Sequence, residues 1–353
     1  MAYWNFRSID TMSRSRDQAQ SQLFKPQIVF FCQQLARLHP THLTYCGPYD
    51  APSTYGAQPG WMEAWLGAIR ATGRHVWFRM LWNNWQGTFS QPILTANTTP
   101  AIPYETDGRV TAVLSGSDTT SYLYKTYQWI LDHPTVFQDG DVFSPASEPS
   151  NAGIEPYSAQ TPAQFPNLAA YVAWLADVTV LCRVAFQHIG KQVFVGFMSP
   201  GWVSGAANAI SSDTARILGS PMSVDTYVTQ PQQVVNILAA LSYTWRSTMV
   251  LGEWGVTSGT TESSRVQAVN ATYGAVSALP FVVGVNYFEG WSYPGNSDSG
   301  DGLLNPNTLQ ILPHGQTVGQ WFLRQTPPWR RPILWAGAGL VTGAALYYRH
   351  RTP

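Results

Sequence analysis

Short apolar runs rich in β-formers alternate with longer segments of helical period along residues 1–325. The runs are Tyr3–Asp10, Leu43–Tyr45, His75–Leu81, Val142–Ala146, Gln192–Met198, Ser223–Tyr227, Thr248–Leu251 and Val282–Tyr287. Between and after them come helical patterns over Gln18–Leu38, Met62–Thr72, Thr120–Asp132, Leu168–His188, Ala206–Leu218, Gln232–Trp245, Glu262–Ala278 and His314–Arg324. Pro134, Pro200 and Gly252 punctuate several junctions. Runs such as VWFRML and FVVGVNYF are apolar at successive positions, the pattern of parallel strands covered by helices. Eight strand–helix units predict an α/β protein, a (β/α)8 TIM barrel, with Trp82–Ser117 as its largest insertion. A doubly wound open sheet competes with it, but no G-x-G-x-x-G follows an early strand.

The pattern changes after residue 325. Pro332 to Tyr348 is uncharged and largely apolar, and Arg330, Arg331, Arg349 and Arg351 flank it. As a helix it would span about 25 Å, close to the roughly 30 Å of a hydrocarbon core. Trp335, Tyr347 and Tyr348 stand near its ends, where interfacial aromatics are found. Gly339 and Gly343 have the small-xxx-small spacing of close helix contact. The chain therefore divides into a barrel domain, 1–325, and a basic-flanked tail, 326–353, read as a transmembrane helix at 332–348. A packed or mobile terminal helix is the alternative. The first residues, MAYWNFRSIDTMSRSRD, hold no apolar core of signal-peptide length. The protein is expected to be membrane-associated, on a side that the basic flanks leave unreadable.

Composition sharpens this division. The net charge of zero sums a balance of −4 over residues 1–325 and four arginines without an acid beyond them. With three lysines and no net charge, the chain lacks the electrostatic footprint of a nucleic-acid binder. Cys32, Cys46 and Cys182 form no C-x-x-C pair. No H-E-x-x-H motif or His/Cys cluster suggests a metal, no cofactor is implied, and no G-x-S-x-G elbow is present. The acidic stretch Pro294–Gly302 misses calcium-loop spacing.

Two glutamates occupy positions where a barrel puts its chemistry. Glu148 follows the fourth predicted strand and Glu253 ends the seventh. Barrel active sites lie at the C-terminal ends of strands, so both carboxylates would face one mouth. Two carboxylates about 5–5.5 Å apart suit retaining glycoside hydrolysis, in which one attacks the anomeric carbon and the other shuttles a proton. The alternative is a rim ion pair for each, with an arginine such as Arg79.

On these motifs the chain resembles clan A, the retaining glycoside hydrolases with (β/α)8 barrels. Glu253-Trp254-Gly255 matches the clan's Glu-aromatic-Gly after strand seven, and Ser147-Glu148-Pro149 matches two of the three positions of Asn-Glu-Pro after strand four. The resemblance covers the strand order of residues 1–325. It implies that Glu148 is the acid/base and Glu253 the nucleophile of an enzyme cleaving β-glycosidic bonds of an oligo- or polysaccharide. Ser147 departs from the clan's Asn, which bonds the sugar 2-hydroxyl, and leaves the sugar open. The resemblance also suggests Tyr227 as a hydrogen-bond partner of the nucleophile and Trp291 as a floor under the sugar. Arg79 could hold Glu253 ionised, and Asn286 and Tyr287 end strand eight within the site. Trp82, Trp85, Trp202, Trp254 and Trp291 fall in loops at the expected catalytic face, where rings stack on sugars. Trp65, Trp129, Trp174 and Trp245 sit in helical patterns and read as core. Glu289 reads as a solvated rim residue. The rival readings are a barrel that binds carbohydrate without turnover and an envelope or virion structural protein.

Overall fold

The computed structural model describes residues 3–11, 25–46, 61–80, 108–119, 121–146, 168–196, 210–256, 260–291 and 302–326. In chain order the elements are β1 (Phe6–Ile9), α1 (Ile28–Ala36), β2 (His42–Cys46), α2 (Trp61–Ala71), β3 (His75–Arg79), α3 (Gly108–Leu114), α4 (Tyr122–Asp132), β4 (Val142–Ser144) and α5 (Leu168–His188). They continue with β5 (Phe194–Val195), α6 (Ser212–Leu218), β6 (Met222–Asp225), α7 (Pro231–Trp245), β7 (Met249–Trp254), α8 (Glu262–Ser277), β8 (Val282–Tyr287) and α9 (Pro313–Arg324).

All ladders are parallel, in the order β5-β4-β3-β2-β1-β8-β7-β6. Strand β1 pairs with β2 on one side and with β8 on the other, Ser8 facing both His42 and Asn286. A first strand joined to the last is the arrangement of a (β/α)8 barrel, and it excludes the doubly wound sheet. No ladder joins β5 to β6 among the described residues.

Local chemistry explains where helices begin. Ser121, Ser211 and Thr261 accept hydrogen bonds from the backbone N–H three residues on, capping α4, α6 and α8. Pro231 and Pro313 open α7 and α9 at the position where a missing N–H costs nothing. Helix α5 buries Trp174, Val178, Leu181 and Ala185 at helical spacing, with Leu175, Cys182 and Phe186 alongside. Helix α3 lies inside the stretch expected as an insertion. It buries Val110 and Val113 and is tied to α5 by Arg109 Nε to Asp177 Oδ2 at 3.0 Å. Its glycine start and β-branched content obscure it in the sequence. Helix α1 begins at Ile28 behind a 3-10 turn at Lys25–Gln27, and residues 18–24 of the expected helix lie outside the described residues. No described helix is long and apolar enough to cross a membrane, and residues 332–348 lie outside the described residues.

Strand alternation sorts side chains into two cores. Phe6, Trp77, Val142 and Val250 meet inside the barrel, each from a different strand. Residues one position away, such as Phe78, Phe143 and Leu251, pack outward against the helices. Trp65, Trp129, Trp174 and Trp245 belong to this outer core. At the N-terminal end of the barrel, Asp141 is buried, paired with Arg70, and accepts from the N–H of Val76 (3.0 Å) and Gln138 (2.8 Å). Next to it, His42 Nε2 donates to Gly140 O at 3.0 Å. This end is built as a structural anchor.

Candidate active site

At the C-terminal end, alternation fixes which side chains point inward. In β3, Trp77 faces inward, so Arg79 does too, its guanidinium 5.2 Å from the Trp77 ring centroid. In β7, strict alternation from Val250 would send Gly252 and Trp254 inward and Glu253 outward. A register shift intervenes: Val224 pairs with Leu251, but the next residue of β6, Asp225, pairs with Glu253. Gly252 is thus the extra residue of a β-bulge, which turns Glu253 into the barrel and Trp254 out of it. Only glycine fits there, because a Cβ would stand 1.9 Å from Ser223 Oγ and 2.3 Å from Asp225 Oδ1. Gly255 has a similar cause. A Cβ there would meet Phe288 O at 1.9 Å, so glycine admits the chain leaving β8.

Glu253 is 1% exposed and both its oxygens are engaged. Arg79 Nη1 donates to Oε1 and Tyr227 Oη donates to Oε2. The same Arg79 nitrogen donates to Asp10 Oδ2 at 2.9 Å, and Nη2 lies 3.6 Å from Asp225 Oδ2. One buried guanidinium therefore serves three buried carboxylates, from the ends of β1, β6 and β7. Beside it, Asn286 donates Nδ2 to Gly252 O at 2.7 Å, holding the bulge. Its Oδ1 is buried without a hydrogen-bond partner among the described residues.

Tyr227 lies two residues beyond the end of β6, not on the strand, and still reaches Glu253. Three aromatic expectations need correction. Trp254 is buried outside the barrel, with its ring 5.6 Å from Tyr273 of α8 and 6.2 Å from Tyr287, so it is a core residue rather than a cleft ring. Tyr287 also points outward, with its ring 6.3 Å from His314 of α9 and its hydroxyl accepting from Val256 N at 3.4 Å. Trp291 is buried, its indole donating to Pro306 O at 3.2 Å, and it presents no open face. Glu289 is likewise corrected. It is 2% exposed, because the chain after β8 folds back over the barrel, with Gly290 N on Asp10 O (2.8 Å) and Leu303 N on Glu289 O (3.3 Å).

Of the other expected site residues, Trp82, Trp85, Ser147, Glu148 and Trp202 lie outside the described residues. Asp10 and Asp225 are site residues that sequence reasoning missed. Each is an acid that alternation places inward at a strand end, whereas Glu253 stands out in the sequence as a charge closing an apolar run. Among the described residues no group of three or more His, Cys, Asp and Glu side chains is arranged to hold a metal.

No protein-family model matches the chain, and no curated protein matches it in sequence. In three dimensions it is similar to GH5_18 from Streptomyces cattleya in complex with GlcNAc (TM-score 0.64, 15% identity, 93% of this chain and 82% of that chain). It is also similar to a GH5-4 broad specificity endoglucanase from Clostridium cellulovorans (TM-score 0.52, 10% identity, 84% and 86%). A third is XacCel5A in complex with cellopentaose (TM-score 0.55, 11% identity, 90% and 99%). At these identities the likeness shows a shared TIM-barrel fold.

Proposed function

We propose that the protein is a retaining β-glycoside hydrolase acting on an oligo- or polysaccharide, with Glu253 as nucleophile and Glu148 as acid/base. The observation that carries this reading is the bulge at Gly252, which delivers the Glu253 carboxylate into the mouth of the barrel onto Arg79 and Tyr227. A buried cation and a phenol keep a carboxylate ionised and oriented, and an ionised, oriented carboxylate is what attack on an anomeric carbon needs. The clan A motifs and the GH5 likenesses support the same chemistry, and the cellopentaose held by XacCel5A is a β-linked oligosaccharide of the proposed substrate class. Asn286 Oδ1, a buried acceptor left open, suits a sugar hydroxyl. We further propose that residues 326–353 form a separate tail anchoring the domain to a membrane through 332–348. Full-length protein recovered in soluble fractions without detergent would refute the anchor. For the activity, a panel of aryl β-glycosides and polysaccharides is screened with Glu148→Gln and Glu253→Gln as controls. Turnover lost in both variants supports the assignment. Carbohydrate binding without turnover in the unaltered protein supports a binding barrel instead.

A further inference from the structure

We propose that Asp10 and Asp225 are positioning residues that keep Glu253 strongly basic by dividing the charge of Arg79 three ways; this rests on reading Glu253 as the nucleophile. An arginine devoted to one carboxylate lowers its proton affinity, and with it its strength as a nucleophile. Arg79 is not so devoted. Its Nη1 serves Asp10 Oδ2 at 2.9 Å as well as Glu253 Oε1, and its Nη2 lies 3.6 Å from Asp225 Oδ2. Two carboxylates on one nitrogen stand within about 6 Å of each other. The neighbouring negative charge opposes the pull of Arg79 on Glu253. Water screens the group little, since the four side chains are between 0 and 3% exposed.

Asp10 follows β1, Arg79 ends β3, Asp225 ends β6 with Tyr227 just beyond, and Glu289 is buried after β8. Helix side chains lie on the far side of the sheet. Glu148, which the proposal places opposite, is outside the described residues. The described set holds one cation against an excess of acids, so each acid removed returns part of Arg79 to Glu253.

The consequence differs between the two chemical steps. In the first, an oxygen of Glu253 bonds to the anomeric carbon as the glycosidic C–O bond breaks, and the proton of Glu148 goes to the leaving oxygen. In the second, the C–O bond to Glu253 breaks, its electron pair returns to the carboxylate, and water adds while giving its proton to Glu148. A more basic Glu253 speeds the first step and slows the second.

The test uses the full-length protein with 13C-labelled glutamate. The chain has seven glutamates, and the signal missing from Glu253→Gln identifies Glu253. In Asp10→Asn and in Asp225→Asn the titration of Glu253 is expected to fall by about one pH unit or more. In Asp225→Glu, which keeps the charge, it should stay at the unaltered value. The acid limb of kcat/KM should move down in parallel with the titration. A Glu253 titration unmoved in whichever asparagine variant folds overturns the proposal. If the titration moves but the unaltered protein turns over no glycoside, the charge division stands and the nucleophile reading fails.

Discussion

Arg79 and Glu253 belong to strands that share no ladder, β3 and β7, and their side chains meet across the barrel interior. That contact depends on two separate features: inward alternation of Arg79 above Trp77, and the bulge that reverses the alternation of β7. The Tyr227 hydroxyl completes the carboxylate's environment from just beyond the end of β6.

Tyr227→Phe removes one of the two donors to Glu253 without removing its charge partner. A hydrogen bond to a charged group contributes about 1.5–3 kcal/mol. Steady-state kinetics on an aryl glycoside should show kcat falling by roughly 10- to 100-fold, with KM changing far less. An unchanged kcat would show that the phenol plays no part in turnover.

Gly252→Ala puts a methyl group onto Ser223 Oγ and Asp225 Oδ1. Overpacking of this kind costs about 1–3 kcal/mol, and here it falls on the bulge that aims Glu253. Denaturant unfolding should register that loss, and activity should drop by more than the folded fraction explains. Full activity in a destabilised variant would mean the aim of Glu253 does not depend on the bulge.

Trp254→Phe distinguishes a core ring from a sugar platform. Since the indole packs on Tyr273 and Tyr287 behind the sheet, thermal stability should fall while KM for polysaccharide is unchanged. A raised KM at unchanged stability would restore the ring to the cleft.

These residues also show what the sequence reveals and what it hides. Helix α5 and strand β8 are legible to the residue, because both are dense in apolar residues and turn formers stand on either side of them. Glu253 is legible as a charge closing an apolar run. The direction of Trp254 is not, since MVLGEWG read with a period of two points the indole inward. The bulge becomes evident only against β6, where Ser223 and Asp225 fill the space a side chain at 252 would need. Asp10 and Asp225 are hard to read for a related reason. An aspartate at a strand end is common, and its meaning comes from the arginine reaching it from another strand.

Burial holds His42 largely neutral, with its pKa lowered from 6.5 to about 4, the bond to Gly140 O opposing the shift and neighbouring His75 adding to it. The unfolded chain binds this proton below about 6.5 and the folded chain only below about 4. Stability is therefore full above the upper value, declines as pH falls through that window, and levels off beneath it. The loss from this one group amounts to about 3 kcal/mol. His39 and His314, also held low chiefly by burial, act in the same direction. Chemical denaturation across pH 4 to 7 should show the decline, and His42→Gln should flatten part of it. Stability independent of pH there would contradict the buried neutral ring.

The central claim is that Glu253 bonds covalently to the sugar during turnover. It is tested most directly by incubating the full-length protein with activated 2-deoxy-2-fluoro β-glycosides, which form the glycosyl-enzyme and release it slowly, followed by peptide mass spectrometry. The account predicts one sugar per chain on the peptide containing Glu253, and none in Glu253→Gln. A sugar on Glu289 or on any other carboxylate, with Glu253 unlabelled, would contradict it.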